Sequence, residues 1–111
     1  MRGSLSVFVV LLTYQRPLAE IDRRMRAHVA FLGEGYRAGL FVASGRQVPR
    51  TGGVILAVAP SRDGLAALME QDPFVREGLA RFEIVEFRTS LHHPALTRFA
   101  DDGTRAVPDV P

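Results

Sequence analysis

The chain has no cysteine, which removes disulfides, thiolate nucleophiles and cysteine-based zinc or iron–sulfur sites together. It has no lysine either: all fourteen basic residues are arginine, so Schiff-base catalysis is excluded. The net charge is only +2, and acids are interspersed with the arginines. No basic stripe forms, so a nucleic-acid partner is not expected. Long apolar runs are missing as well. The longest, Val7 to Leu12, is far too short to span a bilayer. It is followed by Thr13-Tyr14-Gln15-Arg16-Pro17, which is no signal-peptide cleavage site, so a cytoplasmic location and no membrane partner are expected. The opening Met1-Arg2-Gly3-Ser4 fits either a native start or an expression remnant.

What is present is enough for one folded domain. The 111 residues, almost half of them hydrophobic, can close a core without metals or crosslinks. Leu5 to Tyr14 reads as a strand apolar on both faces, which places it centrally in a sheet. Pro17 suits the first position of a helix running from Leu18 to about Arg37. Its stripe of Leu18, Ile21, Met25, Val29, Leu32 and Tyr36 recurs at three- and four-residue steps, and Gly39 supplies a left-handed stop. Leu40 to Arg46 reads as a second strand, Val48 to Gly53 as a turn, and Val54 to Ala59 as a third strand apolar on both faces. Ser61 caps a second helix carrying Leu65, Leu68 and Met69. Asp72-Pro73 interrupts it before a short turn through Phe74, Val75 and Leu79, and Phe82 to Ser90 is the fourth strand.

The order strand, helix, strand, strand, helix, strand predicts a ferredoxin-like α+β sandwich: a four-stranded antiparallel sheet with both helices on one face. Residues 1–91 form this domain, and residues 92–111 form a tail that loses periodicity and is expected to be flexible. Strands one and three are apolar on the uncovered face too, which predicts a homodimer packed sheet against sheet.

His28 lies inside the apolar stripe, so its imidazole needs a partner or bears the cost of desolvation. Asp72 is the candidate. Asp-Pro is a helix start in its own right, and the same carboxylate can also reach a histidine on a neighbouring helix of the same layer. A carboxylate on one ring nitrogen fixes the tautomer and makes the other nitrogen more basic. Arg24, one turn before His28, and Ser44 and Arg46, on one strand face beside Gly45, are candidates to hold an anionic ligand. Tyr14 and Tyr36 read as packing residues with wet hydroxyls. The adjacent His92 and His93 point opposite ways in an extended tail and do not suggest a metal site. The third strand, Val54-Ile55-Leu56-Ala57-Val58-Ala59, has none of the stacking aromatics of RNA-binding sheets.

Together these residues resemble the YciI-like (YCII-related) family. The resemblance lies in the opening strand, Arg26-Ala27-His28-Val29-Ala30-Phe31-Leu32, the run Gly39 to Gly45, Gly52-Gly53-Val54-Ile55-Leu56, and Gln71-Asp72-Pro73-Phe74 with Gly78 behind it. It covers about residues 5–88. It implies a dimeric α+β barrel and a His–Asp active site at His28 and Asp72. It also implies activities such as dehydrochlorination of hydroxylated chloroaromatics, or isomerisation as in the muconolactone isomerase-like enzymes. The chain departs from the family where many members carry arginine three residues before the histidine, here Met25. It departs again where many have Gly-Pro, here Gly45-Arg46. Both departures bear on the anion-binding residues and leave the dyad intact.

The expected function is a cofactor-independent lyase or isomerase, with His28 as general base, Asp72 as its orienter, and Arg24, Ser44 or Arg46 holding a small anionic or phenolic ligand. No cofactor and no metal are called for. The alternative is a non-catalytic small-molecule-binding or structural homodimer in which His28–Asp72 is a buried structural pair.

Overall fold

Strand β1, Ser6–Tyr14, is the axis of the molecule: it pairs antiparallel with β3, Gly52–Ala59, on one side and β4, Ala80–Phe87, on the other. A computed structural model describes residues 5–100 and 103–111. Residues Met1 to Ser4, and Asp101 and Asp102 of the tail, lie outside the described residues. With β2, Phe41–Arg46, added along β3, the sheet order is β2-β3-β1-β4, all antiparallel. This is the ferredoxin-like α+β arrangement expected from the element order.

Alternation along β1 decides which side becomes the core. Phe8, Val10 and Leu12 point to one face and are 0–2% exposed. Val10 sits opposite Ile55 and Ile84, so three branched side chains share one layer of that face. Ile21, Leu65, Met69 and Phe74 from the helices complete the same cluster. The opposite face carries Val9 against Leu56 and Val85, with Val85 and Phe87 exposed. Val7 and Val58 are buried at one end of this face, while the rest of it leaves an apolar surface bare in the single chain.

The long helix is two helices. α1 spans Leu18–Arg23 and α2 spans Met25–Arg37, with Arg24 between them at φ −106°. The Arg24 N–H bonds to the Ile21 carbonyl, a tightened turn, before the regular ladder resumes from His28 N to Arg24 O. Pro17 stands just before α1 rather than inside it. Gly35 lies within α2 because β2 passes close by: a Cβ there would sit 2.1 Å from the Phe41 ring. Gly39, at φ +76°, ends the segment in the left-handed region, as its position predicts.

Both later helices start where the sequence places them. α3, Arg62–Met69, is capped by the Ser61 hydroxyl accepting from Gly64 N–H, and α4, Pro73–Arg76, by Asp72 with Pro73 in its first turn. β4 begins at Ala80, two residues before the expected start, because Ala80 and Arg81 extend the ladder opposite Tyr14 and Thr13. The tail, expected to lack regular structure, contains β5, Leu91–His92, a 3-10 turn over Pro94–Phe99, and β6, Arg105–Ala106. β5 and β6 pair in parallel. No described helix is long and apolar enough to cross a membrane.

Candidate functional site

Between the helix layer and the β1–β3 half of the sheet lies a cavity of about 500 Å³. Its walls are largely apolar, with Leu12, Met25, Val29, Leu32 and Ile55 among them, and its polar groups are few. Small-molecule sites have this composition: mostly apolar walls with a handful of placed polar groups.

His28 is one of those groups. α2 carries it on the stripe that faces the sheet, where it is 8% exposed and still lines the cavity. Asp72 is fully buried behind it. His28 Nδ1 lies 2.9 Å from Asp72 Oδ1 and 3.1 Å from Oδ2. A carboxylate only accepts, so Nδ1 carries the proton and donates. In the neutral ring Nε2 is then the acceptor, and it has no protein partner among the described residues. Asp72 Oδ1 also accepts from the Phe74 N–H at 3.0 Å, so one carboxylate serves as helix cap and histidine partner, as anticipated. The ring itself is held flat. Phe74 stacks on His28 with centroids 4.0 Å apart and planes at 6°, and Tyr14 meets Phe74 edge-on at 6.1 Å.

The other expected site residues divide. Ser44 and Arg46, on β2, line the cavity, and the Ser44 hydroxyl is 2.8 Å from the Tyr36 hydroxyl. Arg24 does not line it. Its guanidinium forks onto Glu77 at 2.7–3.0 Å, drawn there by the acid that ends α4. The Arg24 hydrogen bond and charge hold the Glu77 carboxyl below the usual range, and the Glu77 hydrogen bond and charge in turn push Arg24 up. Arg24 and His28 are still one helical turn apart, joined by the His28 N–H to the Arg24 carbonyl, and it is Glu77 that holds the guanidinium away from the cavity.

Two charged residues at the cavity were not anticipated. Arg50, from the β2–β3 connection, donates to Asp22 on α1 and lies with its Cζ 6.0 Å from the Tyr14 ring centroid. The Arg50 hydrogen bond, with its charge, lowers the Asp22 carboxyl, and Asp22 in turn raises Arg50. Tyr14, read as packing, is also on the wall. The available signal was an arginine in the loop following the Ser44/Arg46 strand, but its partner is 28 residues away in sequence. In the tail, His92 bridges Thr104 and Thr97, and His93 Nδ1 accepts from Ala95 N–H at 3.0 Å.

A model of the YCII-related domain matches residues 7–88, from β1 to just past β4. The chain belongs to the YCII-related family. Its match spans every residue that lines the cavity, and leaves residues 1–6 and 89–111 outside. Among curated proteins none matches in sequence. Among solved structures, the fold is similar to 5-chloro-2-hydroxyhydroquinone dehydrochlorinase from Burkholderia phenoliruptrix AC1100, in complex with 2,5-dihydroxybenzoquinone. The TM-score is 0.64 at 18% identity, covering 75% of this chain and 94% of that one. SnoaB, a cofactor-independent oxygenase from Streptomyces nogalater, matches at a TM-score of 0.48 and 20% identity, covering 83% of this chain and 99% of that one.

Proposed function

We propose that this YCII-related chain is a cofactor-independent lyase or isomerase of small-molecule metabolism, acting in the cytoplasm, with His28 as general base. The carrying observation is the state of the imidazole: Nδ1 is tied to a fully buried carboxylate, while Nε2 has no described protein partner and the residue lines a cavity. Nε2 would take a proton from a C–H or O–H of the ligand. Asp72 would stabilise the imidazolium that forms, as orienting carboxylates do. Ser44 and Arg46 would hold an anionic or phenolic oxygen, with the apolar walls keeping water from the reacting bond. In an elimination the electron pair left by the proton forms the new π bond as the leaving group departs with its own pair. In an isomerisation the imidazolium returns the proton to another carbon. The shared fold with a dehydrochlorinase supports the reading and no more.

One observation favours the alternative. Asp72 already has a structural task at α4, and the His28 ring is stacked and nearly buried, as a strut would be. Turnover separates the two. Chlorinated hydroquinones, phenols and lactones would be screened with the wild type and His28→Gln. We expect turnover of at least one compound to fall about 10²–10⁴-fold in the variant, the usual worth of a general base. If no compound turns over and none perturbs the His28 ring resonances, while His28→Gln unfolds at lower urea, the pair is a strut.

The reading includes a homodimer joined through the bare sheet face, where Val9, Leu56, Val85 and Phe87 stand together. Sedimentation should give twice the chain mass, and Leu56→Arg, which places a charge in that face, should halve it. A monomeric wild type would remove this element.

A further inference from the structure

The cavity presents two guanidinium groups in different states. Arg46 has no ion-pair partner among the described residues. Arg50 is committed to Asp22, and that bridge ties the β2–β3 connection to α1. Both partners line the cavity, yet the Arg50 and Asp22 side chains are 25% and 57% exposed, which places them at its mouth. Asp72 keeps its own charge but pairs with neither guanidinium: it is fully buried behind the ring, its oxygens hydrogen-bonded to His28 Nδ1 and the Phe74 N–H.

We infer that Asp22 sets the charge the cavity accepts, limiting it to ligands with an apolar body and one negative group, a carboxylate or a phenolate. The inference rests on the function proposed above and names its substrate class. Of the two guanidinium groups at the cavity, Arg50 is answered by Asp22, and Arg46 has no carboxylate partner among the described residues. The first anionic group of a ligand pairs with Arg46. A second one meets a guanidinium already paired through Nη2 with a carboxylate of its own sign. It must share that guanidinium against like-charge repulsion or displace Asp22, and either route weakens binding. The walls formed by Met25, Val29, Leu32 and Ile55 offer no cation to receive it, and the Ser44 and Tyr14 hydroxyls at the cavity carry no charge.

The test compares benzoate, a monoanion, with phthalate, a dianion of the same ring, by titration calorimetry on the full chain at neutral pH. The His28 ring resonances are followed in parallel. Wild type should prefer benzoate. Asp22→Asn, which keeps shape and removes charge, should strengthen phthalate binding about five- to tenfold and benzoate about twofold or less. Asp22→Ser should act in the same direction, and adding Arg50→Gln to Asp22→Asn should abolish the gain. An equal gain for both ligands, no gain for phthalate, or a gain that survives loss of Arg50 would overturn the inference. If benzoate shifts the His28 ring but Asp22→Asn leaves the preference intact, only the charge limit falls. If benzoate never touches His28, the proposed site falls with it.

Discussion

Replacing Asp72 by alanine should lower folding stability by about 2–5 kcal/mol, read as a fall in the urea midpoint. The figure combines the loss of a helix cap, about 0.5–2 kcal/mol, with the loss of a hydrogen bond to a charged group, about 1.5–3 kcal/mol. Asp72 is 0% exposed, so no water stands ready to replace it. Alanine would strand two buried donors, the Phe74 N–H at 3.0 Å and His28 Nδ1 at 2.9 Å. Against a typical total of about 5–15 kcal/mol, that loss leaves a marginal protein. Asp72→Asn retains an oxygen that can still cap α4 and should cost roughly half as much. A shift of about 1 kcal/mol or less for alanine would mean that solvent already serves both donors, and the sealed dyad would have to be abandoned.

Phe74→Ala should be comparably severe, at about 3–5 kcal/mol, because a 1%-exposed aromatic ring leaves a void between the helices and the sheet. Phe74→Leu is the more informative change. It keeps most of the volume, so packing should cost less than about 1.5 kcal/mol. It also removes the parallel surface that holds the imidazole at 4.0 Å, a stack worth about 0.5–1.5 kcal/mol. The leucine variant should therefore stay folded while kcat falls more than KM changes, since the base loses its alignment rather than the ligand its walls. Unchanged kcat in a folded leucine variant would reduce the stack to packing alone.

The fold and the dyad were legible in the sequence because both follow from local rules. Strands apolar on both faces, a helical stripe and the Asp-Pro start each declare themselves within a few residues. A histidine on an apolar stripe must have a partner, and Asp72 heads the short helix nearest in the layer. The charged rim was less legible, since ion pairing between distant segments leaves no local trace. Arg24 was misplaced because Glu77, 53 residues on, captures it. Arg50 was overlooked because turn chemistry explains Val48 to Gly53 without asking where the arginine side chain goes. The tail pairs β5 with β6 across an intervening 3-10 turn, and two-residue strands are too short to show alternation.

α4 is a single turn of four residues, far below the length at which a helix persists on its own in water. Its cap is also the partner of a histidine 44 residues earlier. The His28–Asp72 pair, the proposed proton acceptor, is therefore assembled only when two distant stretches of backbone dock. A chain that has opened even this one turn carries a histidine without its carboxylate. Pairing of His28 with Asp72 and closure of the core are one event, and amide exchange at Phe74, whose N–H is held by that carboxylate, would count both at once.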